Sequence, residues 1–126
     1  MTYRLSLQRD FEARHYLIGG DWGVENVEHA HPYRIEWVLE GSVLDQHGYL
    51  VDLVAVEDLL EATLRVFRGH VLNEMPDFAG LNPSLENFAR ILATRLAAGL
   101  DGAGLSAHVV RLWESPTAWA SFRQRL

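Results

Sequence analysis

Two histidines stand one residue apart in the run HAHPYRIEWVLEG, at His29 and His31. In an extended chain, residues i and i+2 point to the same side, about 6.6 Å apart at roughly 3.3 Å of rise each. A third imidazole, His15, closes the alternating run FEARH that precedes them. The segment between, from Ile18 to Glu28, is long enough for the two runs to pair antiparallel, which would carry His15 beside the other two. Three neutral imidazoles from adjacent strands, with a fourth position open, form the donor pattern of a catalytic zinc site. The chain has no cysteine, so any metal must be held by His, Asp or Glu. Spacing alone leaves two readings open: a metal centre, or a chance pair of histidines on a polar strand face. His47 and His108 read as an ordinary turn residue and an ordinary strand-start residue.

The elements that must position these side chains follow from periodicity. YRLSLQRDFEARHYL alternates, with Tyr3, Leu5 and Leu7 on one face and Phe11, Ala13 and His15 in step beyond Asp10, where a bulge is expected. The second strand runs from about Glu28 to Glu40 and sets His29, His31, Tyr33, Ile35 and Trp37 on one side. EGSVLDQHGYLVDL reads as a turn around His47 and Gly48 leading into a short third strand. The period then changes. Val56, Leu59, Leu60, Leu64 and Phe67 recur at helical spacing, with Thr63 the one polar residue on that stripe. NEMPDFAGLNPS is a loop, and either Asn82 or Ser84 caps a second helix that carries Leu85, Phe88, Ala89, Leu92 and Leu96. LDGAGLSA is a glycine-rich connector, HVVRLWE the last strand, and SPTAWASFRQRL a short tail. This order predicts an α+β fold with an antiparallel sheet and both helices on one face.

Composition narrows the classes. A chain of 126 residues, 48% hydrophobic and 22% charged, is long enough for one domain over residues 1–126 with a substantial core. Its net charge of −6 argues against a general nucleic-acid binder, whose footprint is normally basic. No run approaches the length of a membrane span, and the first residues carry arginines and acids where a signal peptide would have an apolar core, so a cytoplasmic location is expected.

Four segments in order then carry a family resemblance: FEARHYL, HAHPYRIEWVLEG, LNPSLENFARILATRL and VRLWESPTAWASF. Together they resemble the 6-pyruvoyltetrahydropterin synthases and the bacterial 6-carboxytetrahydropterin synthases. That family shows F-x-A-x-H, then H-G-H-N-Y opening a long strand, then D-H-x-x-L-N, N-P-T-x-E-N, and E-T/S-P-T after a late strand. The resemblance spans Phe11 to Phe122. It implies the tunnelling fold, a four-stranded antiparallel sheet backed by two helices, with three subunits closing a barrel and two trimers stacking into a hexamer. It implies that His15, His29 and His31 hold zinc (Zn2+) and that Glu114 anchors a pterin. A carboxylate suits that task, since it can accept the ring N–H and exocyclic NH2 of a pterin side by side. The implied activity is a zinc-dependent lyase on 7,8-dihydroneopterin triphosphate or a related pterin, which eliminates triphosphate.

Three positions depart from the family pattern. The usual catalytic cysteine, four residues before the histidine pair, is Glu25 here. Members of a third type use glutamate near this place, and a carboxylate serves as a base when burial raises its pKa. Glu28 is a second candidate. With L-N registered on Leu72 and Asn73, the Asp-His pair falls on Arg68 and Gly69, so His70, the candidate second proton-transfer group, stands one residue away without its aspartate. The glycine and asparagine around the ligands are Ala30 and Pro32; Pro32 lacks a backbone donor and belongs at a sheet edge or bulge. Two functional readings follow: the lyase, with Glu25 and His70 in acid–base roles, or a pterin- or purine-binding zinc homologue without the parent reaction. A purely structural zinc protein is a third. A triphosphate must also overcome the overall negative charge through local positive charge. Arg14, adjacent to His15, points to the opposite face of its strand and is a poor candidate for that.

Overall fold

Alternation of apolar and polar residues makes the first two strands. The computed structural model describes residues 1–100 and 104–126. β1 (Tyr3–His15) buries Leu7, Phe11, Ala13 and His15 on one face, and β2 (His29–Gly41) buries Tyr33, Ile35, Trp37 and Leu39 on the same face. They pair antiparallel in one unbroken register from Tyr3↔Gly41 to His15↔His29, so the bulge expected at Asp10 is absent. Nothing interrupts the alternation there: Asp10 pairs with Arg34 across the ladder, and their side chains form an ion pair at 2.9 Å.

The two helices form where the 3.6-residue stripes predict them. α1 (Leu53–Phe67) is capped by Asp52, whose side chain accepts from the Val54 and Ala55 amides. It buries Val56, Leu60, Thr63, Leu64 and Phe67, while Leu59 packs at the margin of the core. α2 (Leu85–Gly99) is capped by Ser84, whose hydroxyl accepts from the Asn87 amide at 3.1 Å. Asn82, the other candidate cap, has a different task at the site described below.

Two strand assignments differ from expectation. Residues 42–52 contain no strand. The Asp45 carboxylate accepts from the His47 and Tyr49 amides, at 2.8 and 3.0 Å, and the Gly48 amide donates to the Asp45 carbonyl. A side chain that captures backbone donors in this way competes with a strand ladder. The expected tail is instead a strand. β3 (Ala107–Ser115) and β4 (Ala118–Arg125) pair antiparallel across a tight turn at Pro116 and Thr117, and the sheet order is β1-β2-β3-β4. The expected glycine-rich connector falls partly on residues 101–103, outside the described residues. The β3–β4 register shifts between Trp113 and Ser115, which puts a bulge at Glu114.

The core lies between the helices and one face of the sheet. Phe88 of α2 is its centre, with ring centroids 5.1 Å from Tyr33, 5.3 Å from Phe67, 5.5 Å from Phe78 and 5.8 Å from Phe11. Truncating such a ring to alanine costs about 3–5 kcal/mol. The face that buries Tyr33 therefore also carries His15, His29 and His31, one strand residue apart in step. Pro32 lies beyond the last β2–β3 pair, Arg34↔Trp113, on the part of β2 that pairs with β1 alone, as its missing donor requires. Among the described residues no helix is long and apolar enough to cross a membrane.

Candidate functional site

The end of β1 and the start of β2 bring His15 and His29 together and set the His31 ring on the same face, outside the group of donor atoms that converge. His15 and His29 are direct cross-strand partners, and His31 stands opposite Ala13 on the same face. The Nε2 atoms of His15 and His29 lie 3.0 Å apart. The His31 ring centroid is 5.2 Å from that of His15 and 6.2 Å from that of His29.

The hydrogen bonds fix what each ring offers. Nδ1 of His29 lies 2.8 Å from the Val27 carbonyl oxygen, which can only accept, so that nitrogen carries the proton. Nε2 of the neutral ring is then a lone pair. Nδ1 of His15 pairs with the Tyr33 hydroxyl at 2.9 Å, inside the protein. Burial, reinforced by the neighbouring His29 and His31, holds His15 down to about 4, so it is neutral at ordinary pH. Burial also pushes the Tyr33 hydroxyl up, and the charges of Glu114 and Glu25 act the same way. Nδ1 of His31 is buried without a partner among the described residues. Two converging ring nitrogens, with a further buried ring nitrogen left unanswered on the same strand face, offer the donor chemistry that a borderline divalent metal satisfies.

Glu25 joins this cluster. It sits in a short 3-10 turn (Gly23–Asn26), and its Oε2 lies 3.1 Å from Nε2 of His29. His15, Glu25 and His29 each offer one donor atom, and all of these atoms lie within 4.8 Å of one another. The other candidate, Glu28, points elsewhere and pairs with Arg14 at 3.0 Å. This also confirms that Arg14 faces away from His15.

Asparagines that carry no charge and gave no catalytic signal hold the frame. Asn73 grips the backbone of Tyr16, accepting from its amide at 3.0 Å and donating to its carbonyl at 2.8 Å. Asn82 accepts from the Ile18 amide at 2.9 Å and its own carbonyl accepts from the Asn87 side chain. Asn26 donates to the Leu17 and Gly20 carbonyls. The exit of β1 is therefore pinned at three successive points just beyond His15. Asn73 and Asn82 stand in segments that the family resemblance marks, which was the available signal.

A cavity of about 270 Å³ opens beside the cluster, lined by His15, Glu25, His31, Tyr33, Glu114 and the residues that begin α2. A second, of about 800 Å³, shares Tyr33 and Glu114 and extends past Asp10, Arg34 and Trp113. Glu114 faces both because the β3–β4 bulge falls at its position. Its carboxylate is exposed and has no hydrogen-bond or ion-pair partner among the described residues. His70 is placed differently. Its backbone carbonyl accepts from the Arg14 amide, but its exposed ring lines neither cavity.

Comparison with known proteins bears on this geometry. The family model for 6-pyruvoyl tetrahydropterin synthase matches residues 4–125. The structure is similar to 6-pyruvoyl tetrahydropterin synthase from Caenorhabditis elegans, with a TM-score of 0.83 at 19% identity over 98% of this chain and 96% of that one. It is similar to the Plasmodium vivax 6-pyruvoyltetrahydropterin synthase, with a TM-score of 0.80 at 15% identity over 100% and 99% of the two chains. In two further structures of the P. vivax protein a glutamate, described as a catalytic residue, is replaced by alanine or cysteine. A dihydroneopterin aldolase from Burkholderia, bound to guanine, shares the fold more distantly, with a TM-score of 0.51 at 12% identity over 99% and 92%. A search of curated protein sequences finds no match. The four-stranded sheet with two helices on one face is the tunnelling fold of these proteins.

Proposed function

From the premise that the chain belongs to the 6-pyruvoyl tetrahydropterin synthase family, we propose that it is a zinc-dependent lyase acting on 7,8-dihydroneopterin triphosphate or a close pterin relative. The observation that carries this reading is the arrangement around one cavity: converging histidines and Glu25 at one wall, an unpartnered Glu114 at another. His15, His29 and His31 hold the metal, and their lone pairs and the unpartnered His31 nitrogen fit it. A bound zinc supplies Lewis acidity, polarising a side-chain oxygen of the substrate and so acidifying the adjacent C–H.

The chain's own residues do the rest. Glu114 accepts the two adjacent N–H groups of the pterin edge, a pairing that fixes the ring in one orientation. Tyr33, held neutral, keeps the His15 ring in place through its hydroxyl. Glu25 takes the proton from the substrate side chain, and the catalytic glutamate of the P. vivax relative supports that role. A carboxylate poised beside a cation and a buried wall is a competent base. His70 takes the second proton-transfer role in this reading through assembly, a neighbouring subunit bringing its exposed ring to the site. β1 and β4 each leave one edge unpaired, and joining such edges between subunits, as a hexamer of two stacked trimers would, removes that liability.

The test is mass spectrometry of the products after zinc-loaded protein meets 7,8-dihydroneopterin triphosphate. A new pterin with released triphosphate establishes the lyase, and its mass shows which side chain survives. Substrate that binds in a Glu114-dependent way and returns unchanged establishes instead a pterin-binding homologue.

A further inference from the structure

Glu25 stands closer to the histidines than a base waiting for substrate needs to stand. Its Oε2 is 3.1 Å from Nε2 of His29, and that nitrogen is 3.0 Å from Nε2 of His15. Two donor atoms bound to one tetrahedral zinc at about 2.0–2.1 Å lie about 3.3 Å from each other. The carboxylate is therefore spaced from the histidine nitrogen as one ligand is from the next.

The protons point the same way. Because Nδ1–H of His29 is committed to the Val27 carbonyl, Nε2 of the neutral ring has only a lone pair. Turning a proton of His15 toward His29 would answer that lone pair, yet the Glu25 oxygen would still face it at 3.1 Å. An anionic oxygen and a lone pair at that distance repel unless a cation lies between them. A proton there would answer Glu25 but would block His29 as a ligand. A divalent metal satisfies Glu25, His29 and His15 together.

The approach of Glu25 is also built into the backbone. Its carbonyl accepts from the Leu17 amide at 2.8 Å, two residues past His15. Asn26 ties the same turn to the Leu17 and Gly20 carbonyls, and Gly23 takes the positive φ of 62° that the turn requires. The turn is fixed to the strand end that carries a ligand. The Glu25 side chain itself is half exposed and borders the cavity, so it can swing without unfolding anything.

We propose that Glu25 is the fourth ligand of the resting metal centre, closing the position that three histidines leave open, and that it gives up this place to the side-chain oxygens of a bound substrate. The inference rests on the zinc reading above and deepens it. One carboxylate then serves twice: it caps the centre while the site is empty, and substrate binding releases it beside the carbon whose proton it removes. Three neutral imidazoles and one carboxylate leave a zinc ion with a net charge of +1 rather than +2, so the capped centre attracts stray anions less.

The test reads the metal rather than turnover. Cobalt(II)-substituted protein is compared by visible absorption with its E25Q and E25A variants, and zinc affinity is measured by chelator competition. Circular dichroism of the metal-free forms checks that each is folded. Loss of the carboxylate should change the cobalt ligand-field bands and weaken zinc binding by about 10- to 100-fold. Adding 7,8-dihydroneopterin, which has hydroxyls but no triphosphate to lose, should shift the parent spectrum toward that of the variants. Unchanged bands together with affinities within twofold of the parent overturn the proposal while leaving the three-histidine centre intact. If the parent binds neither metal, or if His29→Ala binds as tightly as the parent, the zinc reading itself fails and the proposal falls with it.

Discussion

β2 has two ends, and they treat the same residue types in opposite ways. Near Gly41, polar groups are answered by the protein. His108, opposite Leu39 and fully buried, accepts from Nε1 of Trp37 at 2.9 Å through Nδ1, and its Nε2 lies 3.0 Å from the Gln124 side-chain oxygen. Glu40, also buried, takes Arg123 at 3.1 Å and Arg4 at 3.5 Å. At the other end, Nε2 of His15 and Nε2 of His29 face each other at 3.0 Å, Nδ1 of His31 is buried without a partner among the described residues, and Glu114 stands in a cavity wall with none among them either. The difference separates structure from function. A histidine stabilises a fold when the chain supplies both of its partners, and it is open to a ligand where a ring nitrogen faces another ring nitrogen or nothing.

The largest effect should come from breaking the unsatisfied end. His29→Ala removes a ligand, and zinc affinity should fall by at least about 100-fold in a chelator competition, while the melting temperature of the metal-free protein changes little. If zinc affinity holds, the convergence of lone pairs is incidental. Next in size, Glu114→Gln exchanges a charged acceptor for an amide that can offer only one acceptor to two donors. Pterin binding should weaken by about 10- to 100-fold, since hydrogen bonds to charged groups are worth roughly 1.5–3 kcal/mol, with bound zinc unchanged. Binding that survives at parent strength removes Glu114 from the site.

The satisfied end should respond the other way. His108→Leu leaves the buried Trp37 N–H without an acceptor and should cost about 1–3 kcal/mol in urea unfolding, with zinc affinity at the parent value. A neutral effect would mean that Trp37 finds another acceptor, and that this histidine is as free as those at the far end.

The sequence made the site more legible than the frame around it. Both helices were readable because each packs one apolar stripe, and Ser84, one of two candidate caps, closes the second through an interaction three residues long; the Asp52 cap of the first was not read. The histidine cluster was readable because period-two alternation places His29 and His31 on one face and the hairpin register brings His15 to it. β4 was not. Its turn is Pro116–Thr117, without a glycine signal, and as an edge strand it leaves Trp119, Ser121 and Arg123 exposed with only Phe122 packed against the core. The expected third strand failed because Asp45 bonds its own neighbours, a contact that depends on rotamer more than on pattern. Glu25 was found by counting back from His29. Its aim at His29 depends on a turn held by Asn26 and Gly23, and Glu28, the second candidate, is claimed by Arg14.

The smallest effect sharpens the contrast through pH. Burial depresses the pKa of His108, only partly opposed by Gln124. The folded ring therefore binds fewer protons than the unfolded one, whose pKa is about 6.5. Stability from the neutral ring is fully present above that value and is lost as pH falls through it toward the lower folded pKa. A protonated ring would also turn an N–H of Nδ1 against the N–H of Trp37, which the geometry does not accommodate. His108→Gln carries no such titration. In metal-free protein, the stability advantage of the parent over this variant should thus be greatest near pH 7.5 and shrink steadily toward pH 5, as read by urea titrations at each pH. An advantage that stays constant over that range would mean that His108 accepts a proton in the folded state as readily as in the unfolded one. The satisfied end of β2 would then have more room for a cation than its hydrogen bonds imply.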